Sequence, residues 1–151
     1  MYLNGGTYQI DSADDSIHSN ANITIADGTY TLATGDDGVH ADDALIVNGG
    51  TITVTESYEG LEGLTVTIND GTIDITASDD GINTAGEKME LNGGYIHILA
   101  GGDGLDSNGD LTINGGEIYI DGPSDNGNSA IDYGDRSSAY VNGGTLVAIG
   151  S

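Results

Sequence analysis

The chain of 151 residues has no cysteine, tryptophan or phenylalanine, one proline (Pro123), and only two cationic side chains, Lys88 and Arg136. Without cysteine no disulfide forms, and a stacked-repeat core is large enough to stand without cross-links. Without Phe or Trp the interior has to be filled by Ile, Val and Leu, which suits a narrow core. No apolar run reaches the length of a membrane span. No secretory leader precedes the first repeat, and the chain opens at Met1 already inside one, as a trimmed piece would. Two basic residues against 25 Asp plus Glu give a formal net charge of -23, which excludes nucleic acid and anionic membrane surfaces as direct partners.

What is abundant is glycine, 26 residues, and its placement is periodic. Gly6, Gly28, Gly50, Gly71, Gly94, Gly116 and Gly144, most of them closing an Asn-Gly-Gly, follow one another at steps of 22, 22, 21, 23, 22 and 28 residues. A period near 22 marks a stacked repeat architecture. Around each such turn the apolar residues come as alternating pairs: Leu45/Val47 before Asn48-Gly49-Gly50 and Ile52/Val54 after it. A single apolar residue, Val39 in that repeat, follows the acidic segment. Alternation is strand periodicity and leaves no room for a helix. One triangle of three short strands cannot bury its own apolar side, whereas stacked copies share a continuous core. The predicted fold is therefore an all-β, right-handed parallel β-helix of six to seven coils, one domain over 1–151, with handedness taken from the preference for right-handed parallel crossovers. Residues 121–151 form a longer last coil holding Pro123 and Arg136, read as an irregular cap or as a functional insertion.

The chemistry lies in a second recurring motif: Asp14-Asp15-Ser16-Ile17-His18, Asp36-Asp37-Gly38-Val39-His40, Tyr58-Glu59-Gly60-Leu61-Glu62, Asp79-Asp80-Gly81-Ile82-Asn83 and Gly102-Asp103-Gly104-Leu105-Asp106. Equivalent residues of adjacent coils lie about 4.8 Å apart, so these carboxylates form a column with almost no basic compensation. Like charges so close raise one another's pKa values and oppose folding unless a cation sits between them. The oxygen-rich set points to Ca2+, with Asp15 facing Asp37, Asp37 facing Glu59 and Glu62, and these facing Asp80 and Asn83; Asp103 and Asp106 come next. His18 and His40 share the column and read as surface groups. Stacked asparagines of the Asn-Gly-Gly turns are expected to hydrogen-bond along the rod.

The Asp-Asp-Gly-Val/Ile-His/Asn repeats, Tyr58-Glu59-Gly60-Leu61-Glu62 and Asn-Gly-Gly-Thr-Ile together resemble a family of secreted bacterial carbohydrate-binding proteins, typified by a clostridial polygalacturonate binder. The resemblance covers essentially the whole chain. It implies a right-handed parallel β-helix, calcium at the acidic column, a secreted or cell-surface location and binding of acidic, pectin-like polysaccharide without catalysis. Exposed tyrosines such as Tyr95 and Tyr119 are the expected platforms for sugar rings.

Three other readings were weighed. A lyase on this architecture needs a base beside its calcium, and neither Lys88 nor Arg136 stands next to an acidic cluster. Ice binding would use the Thr-x-Thr pairs Thr29/Thr31 and Thr51/Thr53, but Gln9, Asp74, His97 and Tyr119 break the array. Strand repeats at both termini also allow head-to-tail stacking of a second copy into calcium-stabilised fibres.

Overall fold

The computed structural model describes residues 1–151, side chains included except that of Glu87. Fifteen strands and no helix make up the fold. In chain order they are β1 (Tyr2–Ser12), β2 (Ile17–Ser19), β3 (Ile23–Thr34), β4 (Val39–Val47), β5 (Thr51–Glu56), β6 (Leu61–Ile68), β7 (Thr72–Ala77), β8 (Ile82–Leu91), β9 (Tyr95–Ala100), β10 (Leu105–Ser107), β11 (Asp110–Ile113), β12 (Glu117–Asp121), β13 (Ile131–Tyr133), β14 (Ala139–Val141) and β15 (Thr145–Ile149).

Every pairing is parallel, and the pairings fall into three stacks. The first runs Leu3, Ile25, Val47, Ile68, Leu91, Ile113, Val141. The second, entered after the glycine turn, runs Thr7, Thr29, Thr51, Thr72, Tyr95, Glu117, Thr145. The third, entered after the acidic turn, runs Ile17, Val39, Leu61, Ile82, Leu105, Ile131. This is the expected parallel β-solenoid. Its strands are not all short, however: β1 and β3 pass through the glycine corner unbroken, and β4, β6 and β8 join the third stack to the first. The chain bends at such corners without leaving extended geometry because glycine takes the angle. Gly28, at φ 122° inside β3, is one case, and a side chain there would also meet the Tyr30 hydroxyl at 2.8 Å.

The core is the predicted ladder of aliphatics, from Ile23 and Ile25 through Leu61 and Ile82 to Ile118 and Ile120. The two ends of the rod depart from it. Tyr30 is wholly buried as the alternation requires, whereas Tyr8, its counterpart in the first coil, is 39% exposed; their rings stack at 5.0 Å and 5°, and both hydroxyls donate to carbonyls of their own turns, Gly5 O and Asp27 O. The pair Ala139/Val141, expected to point inward, is exposed, Val141 by 60%, because the last coil has a covering layer on one side only.

The asparagine ladder forms as expected. Nδ2 of Asn69, Asn92, Asn114 and Asn142 each donates to Oδ1 of the asparagine one coil before, at 2.7 to 2.8 Å, beginning from Asn48. Ala26 separates Asn4 from this chain of amides.

Candidate functional site

The acidic turn leads from the second stack into the third, and its tightness rests on glycine: a Cβ on Gly38 would stand 2.5 Å from Gly60 O of the next coil. Within the column four carboxylates are tied to the following coil. Asp15 Oδ1 accepts from Asp37 N at 3.2 Å, Asp37 Oδ1 from Glu59 N at 3.4 Å, Asp80 Oδ1 from Asp103 N at 2.7 Å, and Asp103 Oδ1 from Ser129 N. One carboxylate oxygen is thereby satisfied by the backbone. The other is left facing its neighbours.

On the third stack the outward residues beside these turns fall in register as His18, His40, Glu62, Asn83, Asp106 and Asp132. The result is four groups whose ligand atoms converge: Asp14, Asp15 and Asp36; Asp15, Asp37 and His40; Asp37, Glu59 and Glu62; Asp80, Asp103 and Asp106. Asp37 is 5% exposed and Asn83 9%. Burial pushes the Glu59 and Glu62 carboxyls up to about 7; Asn83 holds Glu59 back by donating Nδ2 to Oε2 at 3.0 Å, while the charges of Glu62 and Asp37 add to the rise at Glu59 and that of Asp37 adds to it at Glu62. Burial likewise lifts Asp80 to about 6 against the opposing Asp103 N–H, and raises Asp103, Asp106 and Asp36. Asn83 Oδ1 is buried and has no hydrogen-bond partner, in surroundings made almost wholly of acceptors.

The expected residues are thus brought together with one change of partnership. Asp80 converges with Asp103 and Asp106 rather than with Glu59 and Glu62, since its backbone-tied oxygen faces the following coil. Asn83 meets Glu59 as expected. His40, read from sequence as a surface group, stands inside a cluster, with Nδ1 at 3.1 Å from Asp37, 3.2 Å from Glu62 and 3.5 Å from Asp15. Asp14 and Asp36 also join a cluster. The register His40, Glu62, Asn83 was the available signal, because it puts the imidazole where the next coil has a carboxylate.

Tyr95 and Tyr119 lie on a different face, the outer side of the second stack, where Tyr119 pairs with His97 and Val147 and Tyr95 with Glu117. Their rings are tilted by 41° with centroids 5.7 Å apart, and Tyr95 is 42% exposed. His97 donates or accepts at 2.9 Å with Asp74, and a shallow depression of about 170 Å³ opens between His97, Tyr119, Asp121, Val147 and Ile149.

Fold and site together define a parallel β-solenoid with an acidic column along one corner. Two stretches, residues 1–38 and 36–151, match the model of a family described as carbohydrate-binding domain-containing protein, and the chain belongs to that family. No curated protein and no solved structure matches it.

Proposed function

We propose that the protein is a secreted, non-catalytic module that binds an acidic, polygalacturonate-like polysaccharide through calcium held in the acidic column. The observation that carries this is the buried Asn83 Oδ1 without a partner, set between groups of carboxylates whose protons are hard to remove. Every ligand atom in the group of Asp80, Asp103 and Asp106 is a hard oxygen, so the donors fit Ca2+, which takes six to eight oxygens in irregular arrangements. Asp80, Asp103 and Asp106, with Asn83 beside them, would hold the ion. Bound calcium would supply positive charge that both neutralises the column and attracts a sugar carboxylate. At a net charge of -23 a polyuronate has no other route to this surface. Tyr95 and Tyr119, on the adjoining face, offer ring faces for stacking of pyranoses. No lysine or arginine accompanies the column: Lys88 is paired with Glu90 at 2.8 Å, which leaves the site without a cationic base for lyase chemistry.

Affinity electrophoresis in polygalacturonate, with chelator and then with calcium, tests the reading. Retardation that needs calcium, with no unsaturated product released, is expected. Retardation that persists in chelator, or that appears only in neutral glucans, contradicts it.

A further inference from the structure

The upper end of the column differs in kind from the rest. His18 and His40 stack at 5.0 Å with their rings inclined by 24°, and both turn the same edges to the same carboxylates. On one side the two Nδ1 atoms stand 3.3 and 3.5 Å from Asp15 Oδ2; on the other the two Nε2 atoms stand 3.3 and 3.6 Å from Asp42 Oδ1. Asp42 is itself held by Asn20 Nδ2 at 3.3 Å. A proton on His18 Nε2 donated to Asp42 leaves Nδ1 with its lone pair facing the cluster, which is how an outer carboxylate orients a metal-binding imidazole, and the stacked His40 presents the same edges with its Nε2 3.6 Å from Asp42.

His40 Nδ1 has three carboxylates within 3.5 Å, those of Asp37, Glu62 and Asp15. A single N–H serves one acceptor at a time, whereas a cation serves all three. Ligand atoms each about 2.0–2.2 Å from a shared ion are separated by roughly 3.0–3.5 Å at octahedral to tetrahedral angles. The observed separations of 3.1, 3.2 and 3.5 Å fall in that span. His97 supplies the contrast, since among the described residues its Nδ1 meets one carboxylate, that of Asp74 at 2.9 Å.

We infer that this end of the column is a site for a borderline divalent transition metal such as Zn2+, held by His40 Nδ1 together with Asp15, Asp37 and Glu62. His18 lies beside it as a second imidazole. Nitrogen ligation selects such a metal over Ca2+, which prefers oxygen throughout. The inference goes beyond the calcium reading and does not require it, because the oxygen-only group of Asp80, Asp103 and Asp106 lies further along the rod. One corner would then hold two classes of cation, sorted by what each coil places in a single register column.

The test is titration of the chelator-stripped full chain with ZnCl2 in excess calcium, followed by competition with a chromophoric chelator and by 15N spectra of the imidazoles. One equivalent bound in the presence of calcium, with the His40 nitrogen resonance shifted, is expected. His40→Asn should weaken zinc at least tenfold and leave the calcium-induced thermal shift in place. That variant repeats what coil four already carries at Asn83, so the fold tolerates it. His97→Asn should change nothing. Zinc affinity equal in His40→Asn and the parent chain, or imidazole resonances unmoved by zinc, overturns the inference whatever calcium does. Loss of the calcium shift with zinc binding intact would instead contradict only the calcium reading.

Discussion

Two columns of polar side chains run along this rod, and they are opposites. In the asparagine ladder each amide carries a donor and an acceptor, so Asn48 through Asn142 satisfy one another at 2.7 to 2.8 Å with nothing added. In the acidic column the same stacking is applied to groups that only accept once ionised. The backbone satisfies one oxygen each of Asp15, Asp37, Asp80 and Asp103, and the remainder face each other, with Asn83 donating to Glu59 and leaving its own oxygen unmet. A ladder of amides is complete within the protein. A ladder of carboxylates is complete only with protons or metal ions.

The largest expected effect comes from converting acidic positions to ladder chemistry. The double variant Glu62→Gln and Asp80→Asn supplies donors where burial already disfavours the charge. In chelator at pH 8 it should melt higher than the parent, by about 3–6 °C, the shift that ~1–2 kcal/mol gives a chain of this size, and its response to calcium should shrink. Differential scanning calorimetry with and without chelator measures both. The reverse conversion, Asn92→Asp, keeps the acceptor for Asn114 Nδ2 but removes the donor to Asn69 and sets a carboxylate oxygen against Asn69 Oδ1. A loss of about 1 kcal/mol in urea unfolding is expected, and calcium should not restore it, because no cluster surrounds the position. The smallest effect belongs to Ala26→Asn, which would join Asn4 to Asn48 and extend the ladder by one repeat, for a gain of about 0.5 kcal/mol in the same assay.

The sequence made the asparagine ladder, the three stacks and the aliphatic core legible because all depend on period alone. Residues spaced by one coil are neighbours, and alternation decides which face they take. The acidic column was legible to the level of membership, and Asp15, Asp37, Glu59, Glu62, Asp80, Asn83, Asp103 and Asp106 all lie where the period puts them. Partnership within it was not. Whether Asp80 turns toward the coil before or after depends on which oxygen the Asp103 N–H claims, a choice made by turn geometry. His40 was set aside on residue type, while its surroundings come from Asp15 and Glu62, 25 residues before and 22 after. The period also puts Tyr119 in one outward array with His97, and the structure has them paired there, with Val147 beyond and the carboxylates on another face.

Whether the acidic column is unfinished without cations is read from melting curves at pH 5 and pH 8, in chelator and in calcium. Glu59 and Glu62 titrate near 7 and Asp80 near 6 in the fold, above ordinary values of 4.5 and 3.8 in the unfolded chain. Between those limits the folded state binds more protons, so the stability these groups contribute is fully present below the unfolded values and is lost as pH rises through 6 to 7. The account predicts that the chelated protein melts lower at pH 8 than at pH 5. Calcium at a hundredfold excess over its dissociation constant should restore about 2.7 kcal/mol at pH 8, with a smaller effect at pH 5, where protons occupy the same oxygens. Melting temperatures that stay the same at both pH values, and that calcium leaves unmoved at pH 8, would contradict it.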